Sequence, residues 1–208
     1  MKKMIAFAMV ALLALPVAAT AQTMAISADQ GGTLTQVFDT PVGTPFNIVV
    51  WGSTGGRDVA ASEFVASELL LLYPGVFKLG TVKINNTTLD LGDNSLGEYI
   101  LAFGACFPPS DTLEMVRVQY GDFSGIIGSD VVMSLRGFQP GDTRPSSFNG
   151  SVGYVDCQDV KYAATVGGTD GGFTGGGVTF PDGSLILNGT PAVVDTQDES
   201  ISQLKARF

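Results

Sequence analysis

Apolar and polar residues alternate along four stretches of this chain. In PFNIVVWG (45–52), Phe46, Ile48 and Val50 oppose Asn47, Val49 and Trp51. EYILAFG (98–104) sets Tyr99, Leu101 and Phe103 against Ile100 and Ala102. LEMVRVQY (113–120) sets Val116, Val118 and Tyr120 against Arg117 and Gln119, and DVVMSLRGF (130–138) sets Val131, Met133 and Leu135 against Ser134 and Arg136. A period of two predicts strands with one buried face. Weaker strands are expected near 24–29, 34–38, 58–66, 81–85, 152–156, 160–164, 173–179 and 184–188. ASELLLLYPGVF (66–77) ends abruptly at Pro74-Gly75 and reads as a loop or short helix closing one end of the domain. No convincing helical period separates the strands, so βαβ units are not expected. The predicted fold is all-β, a single antiparallel β-sandwich of roughly nine strands.

The two ends of the chain break this pattern. MKK, an apolar run over residues 4–19 and the small residues Ala19 and Ala21 have the layout of a secretory signal peptide, cleaved before Gln22. The expected organisation is a signal peptide at 1–21, a β-sandwich at 22–188, a linker at 189–197 and a C-terminal tail at 198–208. The tail is expected to be helical or disordered. Its Ile201, Leu204 and Phe208 fall on one helical stripe, with acids at its start and bases at its end.

Charge narrows the partners. The formal net charge is −9, and loss of Lys2 and Lys3 with the signal peptide leaves nine bases against 20 acids, or −11. That balance argues against nucleic acid and anionic headgroups. Fifteen of the acids are Asp, a residue of turns, so the negative charge is expected in loops.

The chain has no histidine and two cysteines, Cys106 and Cys157. A Ser-His-Asp triad is therefore excluded, a thiol nucleophile lacks its usual base, and zinc lacks a ligand set. A lone pair of cysteines in an exported chain reads as a disulfide. No catalytic residue, metal site or cofactor site is assigned. The remaining enzymatic route is a pair of strand-borne carboxylates among Glu63, Glu98 and Glu114, which would make an extracellular hydrolase acting on glycans. Their apolar neighbours favour instead a reading as solvent-facing acids that tolerate change to Gln.

Asp90 with Asp93 and Asp156 with Asp159 offer hard oxygens for calcium, although Asp in turns usually caps its own backbone. VGGTDGGFTGGG (166–177) is no phosphate loop and reads as a flexible connection. Tyr99 and Phe103 share a face with Leu101 and are expected in the core, whereas Trp51 is a candidate exposed aromatic. Asn85, Asn86, Asn149 and Asn188 begin Asn-x-Ser/Thr sequons, which mark loops.

LGDNSLGEYILAFGAC (91–106), LRGFQPGDTRPSSFNGSVGYVDC (135–157) and the terminal SQLKARF together resemble a group of uncharacterised exported bacterial proteins. The resemblance implies a cohesin-like β-sandwich with a cysteine pair and a short C-terminal tail. The expected function is a non-catalytic secreted or cell-surface module for binding or assembly. Its partner would be an extracellular protein, a glycan or another copy of itself, with no membrane insertion after signal cleavage.

Overall fold

The computed structural model describes residues 22–167, 173–175, 178–180 and 183–189. The segments expected as a signal peptide and a tail, and nearly all of the expected linker, lie outside the described residues. Within them the regular secondary structure is almost entirely β. The long central strands are β1 (Thr23–Gln30), β4 (Pro45–Ser53), β5 (Val59–Ala66), β8 (Glu98–Phe107) and β9 (Leu113–Gly121). Shorter ones are β2 (Thr33–Thr35), β3 (Val37–Phe38), β6 (Phe77–Lys83), β7 (Leu89–Asp90), β10 (Val131–Met133) and β11 (Leu135–Arg136). Beyond these lie β12 (Val152–Val155), β13 (Lys161–Val166), β14 (Phe173–Gly175), β15 (Val178–Phe180) and β16 (Leu185–Leu187).

One long sheet runs in the order β6-β9-β4-β1-β13-β12-β5-β8-β7. Side chains from β1, β4 and β9 meet those from β5, β8 and β12 in one apolar cluster, so the two halves of this sheet form the layers of a sandwich. The ladders are antiparallel as expected, with two exceptions. β1 runs parallel to β13, pairing Thr23 with Thr165, and β16 runs parallel to β3. A small sheet, β10-β16-β3, adds Met133, Leu185, Leu187 and Phe38 to the core.

The period-two pattern is realised in β4, β8 and β9. Phe46, Ile48, Val50, Tyr99, Leu101, Phe103, Val116, Val118 and Tyr120 all enter the main cluster. Fully burying one such side chain is worth about 1.5–3 kcal/mol. DVVMSLRGF, expected as one strand, divides at Ser134. β10 pairs with β16 and β11 pairs with β5, while the Ser134 carbonyl accepts from the Ser67 backbone N–H and the Ser134 N–H donates to the Ser67 hydroxyl.

ASELLLLYPGVF forms a single helical turn, α1 (Leu69–Leu72). Glu68 caps it, accepting from the Leu70 backbone N–H at 3.3 Å. Leu69 is buried in the core, and Leu71 and Leu72 face outward.

Trp51 is not exposed. It is 2 % accessible, and its Nε1 donates to Ser27 Oγ at 2.9 Å. It joins Ala25 and Val49 on the reverse face of β1 and β4, where Leu34 packs over them. The alternation was correct in placing Trp51 opposite Ile48 and Val50. Strand β2 then covers that second face, which alternation within β4 cannot reveal.

Candidate functional site

The strand acids lead to the most organised surface feature. Glu63 and Glu98 are each 2 % accessible, contrary to the expectation of solvent-facing carboxylates. Both point beneath the loop that connects β11 to β12. Glu98 accepts from the Thr143 backbone N–H at 3.1 Å and from the Thr143 hydroxyl. Glu63 accepts from the Ser147 backbone N–H at 2.9 Å and from Ser146 Oγ at 3.2 Å. Burying a carboxylate is costly unless hydrogen bonds satisfy it, and these loop donors do so. Only Glu114 lies toward solvent, paired through both oxygens with Arg117 at 2.8 Å.

Other contacts close this loop into a compact Ω-like unit. At its neck, a Cβ on Gly137 would lie 2.3 Å from the Gly150 carbonyl oxygen, so only glycine permits the two ends to meet. Gln139 Nε2 reinforces the neck by donating to that same oxygen at 3.1 Å. The buried ring of Phe148 lies over Gly153 of β12, where a Cβ would meet the ring at 2.3 Å. Arg136 grips Asp142 with two bonds of 2.6 and 2.8 Å. That fork, with the Gln139 N–H as a second donor, holds the Asp142 carboxyl down at about 2. A carboxylate stabilised this way contributes above its unfolded value and loses the contribution as pH falls through about 2, so the grip persists throughout the mildly acidic range.

The closed loop encloses an open cradle of about 540 Å³, lined among others by Phe138, Pro140, Arg144, Pro145 and Asn149. Glu98→Gln should loosen it, because the amide adds two donors where the loop already presents two. Amide exchange at Thr143 is expected to accelerate at least tenfold while β4 and β9 keep their protection. Unchanged exchange at Thr143 would show that the carboxylate does not anchor the loop.

The other sequence candidates have structural uses. Cys106 and Cys157 form a disulfide, their Cα atoms 5.9 Å apart. It joins the end of β8 to the turn after β12. Asp90 accepts from the Gly92 and Ile100 backbone and pairs with Lys83 at 3.1 Å, while Asp93 accepts from the Ser95 N–H and hydroxyl. Asp156 caps its own turn through the Gln158 and Val160 N–H groups. Among the described residues, no group of three or more Cys, Asp or Glu side chains forms a metal-binding set. The Asn188 side chain bonds Thr40, Ile127 and Gly128, and Asn85 bonds Thr87, Thr88 and Phe103, so these sequon residues stitch loops to the body.

A second surface feature lies at the β6 edge of the long sheet and had no counterpart in the sequence reading. Phe77 is 56 % and Phe123 46 % accessible, and their rings meet at a centroid distance of 5.7 Å. Leu79 approaches Phe123 across Gly121, Ile126 lies over Gly75, and Val42 lies by Gly125. All three are exposed. The result is an apolar patch across the strand edge and the two adjoining loops.

Lysines commonly guard such edges. Here both strand lysines turn inward, Lys78 to Glu68 at 2.6 Å and Lys83 to Asp90 at 3.1 Å. The sequence signal was present as apolar residues in FKLGTVK, but local spacing gives no indication of where the two lysines point.

No known protein-family model matches the chain, and no curated protein matches it. Among solved structures, the chain is similar to two cohesin modules. One, from a family 33 glycoside hydrolase of Clostridium perfringens ATCC13124, is 9 % identical; the match covers 82 % of this chain and 99 % of that one with a TM-score of 0.42. The other, the third ScaB cohesin of R. flavefaciens, was solved in complex with a group 1 dockerin. It is 11 % identical, with 83 % of this chain and 98 % of that one covered and a TM-score of 0.41. The sandwich itself is defined by the strand order and the shared core described above.

Proposed function

We propose that this chain is a non-catalytic, exported protein-association module, with the apolar β6 edge as its contact surface. The observation that carries this reading is the cluster of Phe77 and Leu79 on a strand whose lysines are withdrawn into ion pairs, joined by Phe123, Ile126 and Val42 from the adjoining loops. Contiguous exposed apolar surface of this kind marks interaction sites. The β6–β9 ladder is interrupted between Lys78 and Gly80, which leaves Leu79 beside Phe123. A bulged edge is a poor template for adding a strand, so the partner packs against side chains.

A second copy fits this surface best. The patch residues Phe77, Leu79, Phe123, Ile126 and Val42 carry no charge, so two exported chains of net charge −11 can meet there with least repulsion. A two-fold contact brings the same apolar residues together from each side. Export is supported by the disulfide, which belongs to oxidising compartments, and by the signal-peptide pattern ending at Ala21. A hydrolase reading loses its candidate acids, since Glu63 and Glu98 are committed to the loop and Glu114 to Arg117.

The test is sedimentation of the exported protein, after intact mass has established its first residue, expected to be Gln22. The parent should be dimeric at submillimolar concentration. Val82, further along β6, is also exposed, and Leu79→Lys combined with Val82→Lys should shift the protein to monomer with an unchanged melting temperature, because neither side chain is buried. A parent that stays monomeric, or a double variant that dimerises equally well, overturns the assignment.

A further inference from the structure

We propose that the cradle formed by the loop between β11 and β12 is a binding site for a singly charged carboxylate ligand of monosaccharide size, with Arg144 as its recognition residue. The loop is held firmly. Two buried carboxylates, a bidentate Arg136–Asp142 pair, a glycine neck and the Phe148 ring fix a loop that carries few core residues of its own. Such support is characteristic of loops that must present one shape, since a site built in advance avoids the entropic cost of ordering it around a ligand.

The electrostatics of the cradle select the ligand. Asp142 is neutralised by Arg136, and Glu63 and Glu98 are satisfied beneath the loop. Arg144 lines the cradle, is exposed, and has no acidic partner among the described residues. Four other described cations, Lys78, Lys83, Arg117 and Arg136, are each paired with a carboxylate. A guanidinium presents a planar fork that matches a carboxylate bidentately.

Among the residues lining the cradle Arg144 is the one cation, so the site balances one negative charge. A dianion such as phosphate, or a densely charged polymer, would meet uncompensated repulsion from the rest of the surface. Beside Arg144, Asn149 adds an amide on a backbone of positive φ (54°), and Pro140 and Pro145 add apolar surface. The volume, about 540 Å³, lies within the range of small-ligand sites and exceeds what a bare carboxylate would fill.

Glucuronate is the probe, with glucose as its neutral counterpart and acetate as the bare carboxylate. Titration of the exported, oxidised protein followed by amide NMR should give saturable shifts confined to residues 138–150 with glucuronate. Acetate should bind at least tenfold more weakly and glucose not measurably. Arg144→Gln should weaken glucuronate at least tenfold, while Arg144→Lys, which keeps the charge but loses the fork, should fall between. Because Arg144 is exposed, both variants are expected to retain the parent's spectrum elsewhere. The site is overturned if glucuronate leaves the loop amides unmoved, if glucose or acetate matches it, or if Arg144→Gln binds as tightly as the parent.

Discussion

Replacing Glu68 with alanine is expected to destabilise the domain by about 3–5 kcal/mol, the loss that follows when one member of a buried ion pair is removed. Glu68 is 4 % accessible and serves three elements at once. Its carboxylate pairs with Lys78 of β6 at 2.6 Å, accepts from the Tyr120 hydroxyl of β9 at 2.8 Å, and caps α1. The same Lys78 ammonium also donates to the Asn94 carbonyl at 2.7 Å. Without the carboxylate, Lys78 is stranded and the Tyr120 phenol loses its partner. That phenol, with its pKa pushed upward mainly by burial and then by Glu68, remains a donor throughout the neutral range. Glu68→Gln keeps the size and one acceptor, and should lose less. Urea denaturation of both variants measures this, and a loss below about 1 kcal/mol for Glu68→Ala would show that the pair is not a structural keystone.

Reduction of the Cys106–Cys157 bond is expected to remove about 4 kcal/mol, the chain-entropy value for a sequence separation of 51. The sandwich should still fold when reduced, because its main cluster draws on six long or central strands and includes neither cysteine. Denaturation of the oxidised protein and of the Cys106→Ser/Cys157→Ser variant should therefore differ in midpoint, while far-ultraviolet spectra at low temperature coincide. Equal midpoints would mean that the bridge adds no stability, and a lost strand spectrum would mean that the fold depends on it.

The strands that alternate strictly were legible from sequence, because period two is a local property. Val116, Val118 and Tyr120 reveal their burial by spacing alone. The disulfide was legible for another reason, since the chain offered only one pair and no histidine to give either thiol other work. The acids were not legible. Glu63 is buried because Ser146 and Ser147, more than 80 residues later, fold back over it, and no neighbour of Glu63 records that. Trp51 was misread for the same reason, its cover coming from Leu34 on a separate strand. The apolar edge was missed because the inward turn of Lys78 depends on Glu68 being buried where it is. Pattern reading succeeds where a residue's fate is set by its own element and fails where a distant segment supplies the partner.

The placement of β1 governs when the fold can close. Its residues 23–29 pair with β4 on one side, and Thr23 and Met24 pair with β13 on the other. The end of β1 finds β2 close by, pairing Ala28 with Thr35, but the second neighbour of its first residues is encoded some 140 residues later. A chain leaving the ribosome or a translocation channel amino-end first cannot seal this seam until residues 161–166 have emerged. Such long-range pairing slows folding and leaves the nascent chain open through most of its emergence. Delay of this kind keeps a polypeptide threadable while it is still being moved, and leaves the β1–β13 seam, followed by the docking of β16 onto β3, as the late steps of its maturation.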